Sequence, residues 1–133
     1  MAIQLSTSVR NGMLDAIETA IGTSAVVKIR TGAQPADCAT ADSGTVLVSY
    51  TLGSDWAAAA SSGSKSFSST PISGTASATG TAAHYRVYAS DGTTCHMQGT
   101  VATSGGDMTI DNTSITSGQS VNITSWSITG SNA

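Results

Sequence analysis

A mainly β fold, an antiparallel β-sandwich or jelly-roll-like small barrel with one N-terminal α-helix, is predicted by three features of this chain. Short runs of alternating apolar and polar residues recur along it, turn-forming residues separate them, and only one stretch near the start repeats with a helical period. The strongest runs are residues 84–89 (HYRVYA) and 95–101 (CHMQGTV). They flank Ser90-Asp91-Gly92-Thr93, and an Asp-Gly pair between alternating segments signals a hairpin. Strand geometry sets Tyr85, Val87 and Ala89 beside Cys95, Met97, Gly99 and Val101 on a buried side. It sets His84, Arg86 and Tyr88 beside His96, Gln98 and Thr100 on a polar side, where solvent or partner chemistry is expected. The hairpin should form the centre of the sheet, with His84 and His96 side by side across it.

The helical stretch is residues 6–21, where Val9, Met13, Leu14, Ile17, Ala20 and Ile21 recur at three- and four-residue spacing. Ser6 or Ser8 stands where an N-cap would, and Gly22 where a helix would stop. Asn11-Gly12 lowers propensity, so the helix is expected to begin at Gly12 or Met13, leaving residues 1–8 as a free arm. Asp15 and Glu18 fall off the apolar stripe, toward solvent. Strands are expected over residues 25–31 and 45–52, the second buried on both faces, with the loop 32–44 between them. Trp56 should anchor a brief helical turn capped by Ser54, residues 61–69 should be surface, and a thin edge strand is expected at 75–79. In the last run the apolar parity switches between Ile123 and Trp126, which predicts a bulge or a change of neighbour. The count comes to seven or eight short strands in one domain, 1–133, with residues 1–22 its helix or arm.

Composition bounds the function. Charged residues are 10% of the chain, against a globular average of about 25%, and Ser plus Thr supply roughly a third of all positions, so the surface is hydroxyl-rich. With 39% hydrophobic residues in repeated runs, a packed domain is expected rather than disorder. Net charge is −3, and Arg10, Lys28, Arg30, Lys65 and Arg86 are scattered, which disfavours nucleic acid. No segment approaches the roughly 20 apolar residues of a membrane span, and residues 1–22 lack a basic leader with an apolar core, so synthesis in the cytoplasm without secretion is expected.

Candidate chemistry is sparse. Cys38 and Cys95 are the only cysteines. They are two reduced thiols in a cytoplasmic setting, or one disulfide between loop and hairpin once the protein meets oxidising conditions. Cys95 and His96 are adjacent in a strand and point to opposite faces, which spoils a metal site with His84 and Cys38. Asp37, Asp42, Asp55, Asp91, Asp107 and Asp111 are dispersed over turns, where Asp serves as a local acceptor, and support neither a calcium site nor a glycosidase pair. No Gly-x-Ser-x-Gly elbow occurs. No catalytic residue, metal or cofactor is therefore expected.

Residues 13–22 (MLDAIETAIG), 91–101 (DGTTCHMQGTV), 106–115 (GDMTIDNTSI) and 121–126 (VNITSW) occur in an order that resembles a family of small proteins encoded among the structural genes of tailed bacteriophages. The family pattern runs "LDAIETAIG", "GTTCHMQGTV", "MTLDNTSI" and "V-x-V-x-x-F/W" over most of the chain. The resemblance implies a virion component assembled in the host cytoplasm, foremost a capsid decoration (cement) protein, with a neck, collar or tail accessory protein as the alternative. It implies as partners the major capsid protein or other virion proteins, and self-association, with a trimer favoured. Candidate partner contacts are Val9, Met13, Leu14 and Ile17 on the helix, Trp56, and His84, Arg86, Tyr88 and His96 on the hairpin. Residues 1–22 or the 32–44 loop would grip the neighbour. A carbohydrate-binding or adhesin-type sandwich, stacking sugars on exposed Tyr88 and Trp56, is the competing class.

Overall fold

A computed structural model describes residues 3–133. It is mainly β, with a strongly curled half-barrel sheet and one helix. Helix α1 spans Thr7–Ile21, and the strands are β1 (Val26–Arg30), β2 (Val46–Thr51), β3 (Ser64–Ser66), β4 (Ile72–Thr75), β5 (Gly80–Thr81), β6 (His84–Tyr88), β7 (Cys95–Ala102), β8 (Met108–Ile110), β9 (Ser114–Ile115) and β10 (Ser120–Thr129). The main sheet runs β2-β1-β6-β7-β8-β10-β3, with β4 also on β10, and β5 pairs β9 apart from it. The 84–101 hairpin is thus central, as its patterning predicts.

The helix begins earlier than expected. Ser6 is its N-cap, its hydroxyl accepting from Val9 N at 3.2 Å, and Asn11-Gly12 lies inside it. A satisfied cap and the burial of Leu14 and Ile21 outweigh the propensity cost of one glycine. Gly22 ends it at φ 89°, its N–H donating to Glu18 O. The approach to the helix is tied rather than free, since Leu5 N donates to Asn132 O at 2.6 Å. Residues 1 and 2 of the expected arm lie outside the described residues.

The inner face of the sheet carries the core. Val27 and Ile29 of β1 lie opposite Val87 and Tyr85 of β6, and Val87 lies opposite Met97 of β7. Trp56, Phe67 and Trp126 cluster beneath them, with the Phe67 and Trp126 rings stacked at 4.8 Å. Each such side chain contributes about 1.5–3 kcal/mol by leaving water. Both indoles are satisfied, Trp126 Nε1 by Tyr85 Oη at 2.8 Å and Trp56 Nε1 by Gly22 O at 3.0 Å. Trp56 sits beside the bridge Ala57↔Phe67, not in the expected helical turn. Residues 61–69 are surface only in part: Ser61, Ser62, Ser66, Ser68 and Ser69 are exposed, while β3 buries Lys65 and the chain beyond it delivers Phe67 to the core.

Strand β10 bulges between Ile123 and Ser125, where the parity switch predicts it, and it also changes neighbour. Its first half pairs β4 and its last residues pair β3. The expected edge strand 75–79 does not form: only Thr75 belongs to a strand, β4, and residues 76–79 are the connection to β5, where Ser77 N donates to Leu47 O. One pair departs from the antiparallel expectation. β7 and β8 are parallel, joined by a tight return in which Asp107 Oδ2 accepts from Thr100 N at 3.0 Å.

Candidate interaction surface

Alternation places Lys28 and Arg30 of β1, His84, Arg86 and Tyr88 of β6 and Gln98 of β7 together on the face away from the core. This face was expected to be open. The 32–44 loop folds across it instead, and Arg30, His84, Arg86 and Tyr88 are buried. A guanidinium leaves water only when its donors are met, and those of Arg86 are. Its Nε donates to Gln98 Oε1 at 3.0 Å, its Nη1 to Asp42 Oδ1, and its Nη2 to the carbonyls of Asp37 and Thr40 at 2.8 and 3.0 Å. Asp42 is the hub, receiving Arg30 Nη2 at 2.8 Å and the Tyr88 hydroxyl at 2.7 Å as well. Burial works against its charge, but Tyr88, Arg86 and Arg30 outweigh it and hold the carboxyl below its ordinary range. Burial and then Asp42 push the Tyr88 phenol upward. Gln98 Nε2 donates to Pro35 O at 2.8 Å, and Lys28 lies over the Tyr88 ring.

The hairpin register separates the two histidines. His84 pairs with Thr100, and His96 is the extra residue of a bulge between Met97 and Cys95, exposed on the surface. His84 Nδ1 meets Gly32 O at 2.8 Å, while its buried Nε2 has no hydrogen-bond partner among the described residues. The bulge turns Cys95 away from the core side predicted for it and toward the loop. There its Sγ stands 2.8 Å from Cys38 Sγ, both cysteines being free.

On α1, Leu14 is buried and Ile17 half-buried, whereas Val9 and Met13 are 48% and 58% exposed. Met13 and Ile17 line a groove of about 200 Å³ with Ile128 and Thr129, and a neighbouring one with Ala16, Ala20 and His96. The structure therefore brings Met13, Ile17 and His96 together at one surface. It withdraws Leu14, Trp56, His84, Arg86 and Tyr88 into the interior, where they are not available as contacts. Asp15 and Glu18 do not simply face solvent: they reach Lys65 Nζ at 2.8 and 3.4 Å, and accept from Ala60 N and Ala57 N. Sequence reasoning missed Asp42 and Lys65. Asp42 reads as one turn aspartate among six, and the available signal was a surplus of cationic side chains, Lys28, Arg30 and Arg86, on one sheet face.

Among the described residues, no three His, Cys, Asp or Glu side chains converge to hold a metal ion, and no helix is long and apolar enough to cross a membrane. No family model, curated protein or solved structure matches the chain.

Proposed function

We propose that this chain is a structural component of a tailed-phage virion, a capsid decoration (cement) protein bound to the major capsid protein as a homo-oligomer, with a trimer favoured. The observation that carries the reading is an exposed apolar strip, Val9 and Met13 on α1, on a domain whose basic groups are engaged within itself. Arg10 donates to Leu5 O, Lys28 to Gly92 O, Arg30 and Arg86 to Asp42, and Lys65 to Asp15. A hydroxyl-rich surface with an uncharged helical strip suits many modest contacts repeated over a lattice, where copy number multiplies weak affinity. It offers a phosphate backbone no basic stripe. The resemblance of residues 13–22, 91–101, 106–115 and 121–126 to phage structural proteins supports the same reading. We assign the chain no catalytic step and no cofactor. Sugar stacking through Tyr88 and Trp56 is disfavoured, because both rings are buried.

The test is the mass of the protein in solution by light scattering, followed by co-sedimentation with empty heads of the phage that encodes it. A trimer that sediments with heads in hundreds of copies is expected. Binding in a few copies per particle would move the protein to the neck, collar or tail, and no binding to any particle would overturn the virion reading.

A further inference from the structure

The 32–44 loop meets the sheet at a second point besides the arginine cluster. Cys95 Sγ donates to Cys38 Sγ at 2.8 Å, and both thiols are half-buried rather than sealed. Neither position is incidental. The bulge at β7 pairs Cys95 with Tyr88 on the loop-covered face. Arg86 Nη2 binds the carbonyls of Asp37 and Thr40, on either side of Cys38 in the chain, and so holds the loop where its thiol meets Cys95.

We propose that Cys38 and Cys95 form a redox latch, a dithiol that a low-molecular-weight disulfide such as glutathione disulfide oxidises to an intramolecular bond, locking the 32–44 loop onto β7. The bond length of a disulfide is about 2.05 Å, so closure requires a movement of less than about 1 Å. The Cys38 thiolate, having released its proton to solvent, attacks one sulfur of glutathione disulfide and expels the first glutathione as thiolate. Cys95, deprotonated in turn, attacks Cys38 Sγ in the mixed disulfide and expels the second. Two protein thiols are oxidised, one external disulfide is reduced, and the two released protons end on the two glutathione thiols. Cys95 donates its S–H to Cys38 Sγ, which steadies a thiolate on Cys38 and gives it the first attack and Cys95 the resolving step; burial and then Cys38 raise the Cys95 thiol in the same sense. The latch is independent of the virion reading.

Reduced full-length protein is incubated with glutathione disulfide at mildly alkaline pH, alkylated, and weighed intact by mass spectrometry. The latch predicts loss of two hydrogens, no alkylation, an unchanged single-chain band without reductant, and a thermal midpoint raised by roughly 10 °C over the reduced form. Cys95→Ser is expected to stop at one glutathione on Cys38. Wild-type protein that keeps two alkylatable thiols, holds glutathione stably, or joins chain to chain would overturn the proposal. A bond that forms without raising the midpoint would overturn the locking role.

Discussion

The Lys65 ammonium on β3 lies 2.8 Å from the Asp15 carboxylate on α1, with Glu18 at 3.4 Å, although the Lys65 side chain is only 1% exposed. The same Nζ donates to Ala58 O at 3.0 Å. One buried cation therefore joins the helix, β3 and the chain that leads into it. An unpartnered ammonium at that depth would be strongly unfavourable, so the two carboxylates are structural acceptors. Lys65→Ala is expected to lower the unfolding free energy by about 3 kcal/mol, and Lys65→Met, which keeps the stem's packing, by less. Denaturant titration of both variants checks the order.

Arg86 pins the 32–44 loop through two carbonyls and Asp42. Arg86→Met leaves Arg30 and Tyr88 on Asp42 but frees the carbonyls of Asp37 and Thr40, loosening that part of the loop, with an expected loss of about 3 kcal/mol. Under reducing conditions a broad-specificity protease should then cut first within residues 32–44. Cleavage at the wild-type rate and site would contradict the pinning role.

Two glycines, one closely packed and one open, should respond in opposite directions. A Cβ on Gly99 would come within 2.7 Å of Tyr85 Cε1 and 2.9 Å of its hydroxyl, which is the acceptor for Trp126. Gly99→Ala is expected to cost about 1–3 kcal/mol. Gly12 sits inside the helix with nothing within 4 Å of such a Cβ, so Gly12→Ala should stabilise by about 0.5–1 kcal/mol. Thermal midpoints of the two variants measure both signs.

Stability should hold across neutral pH and fall at both extremes. Asp15, through Lys65, Asp37, through Thr40, and Asp91, through Thr94, all hold their protons more weakly in the fold than the ordinary carboxyl. Asp42 does so as well, against its burial. A depressed folded value means that the stabilisation is complete above the unfolded pKa, 3.8, and is lost as pH falls through the folded values. Burial pushes the Tyr85 phenol from 10.0 up to about 12, the Trp126 N–H opposing and Asp107 adding to the rise. That contribution is complete below 10.0 and lost as pH rises toward 12. Denaturant midpoints across the pH range test this, and a decline beginning near neutrality would contradict it.

The proposed lattice contact can be separated from the fold. Val9 and Met13 are exposed, so Val9→Asp with Met13→Glu should leave the thermal midpoint within the shift of about 0.5 kcal/mol typical of surface changes. Head binding measured by co-sedimentation should fall at least tenfold. Unchanged occupancy would remove α1 from the interface.

Local pattern alone determined the fold class, the Asp91-Gly92 hairpin at the centre of the sheet, the helix with its Gly22 stop and the parity break in β10. Each depends on residues close in the chain, where period and turn chemistry speak directly. Tertiary structure decided the rest. His84, Arg86 and Tyr88 alternate as a solvent face would, and only the return of Asp42 and the 32–44 carbonyls from 44–52 positions away makes their burial favourable. The same holds for Lys65, whose acceptors lie on α1. Alternation places Cys95 on the core side, and one extra residue in the bulge turns it to meet Cys38. Burial of a polar side chain is a property of its partners, and partners distant in sequence leave no trace in the local period.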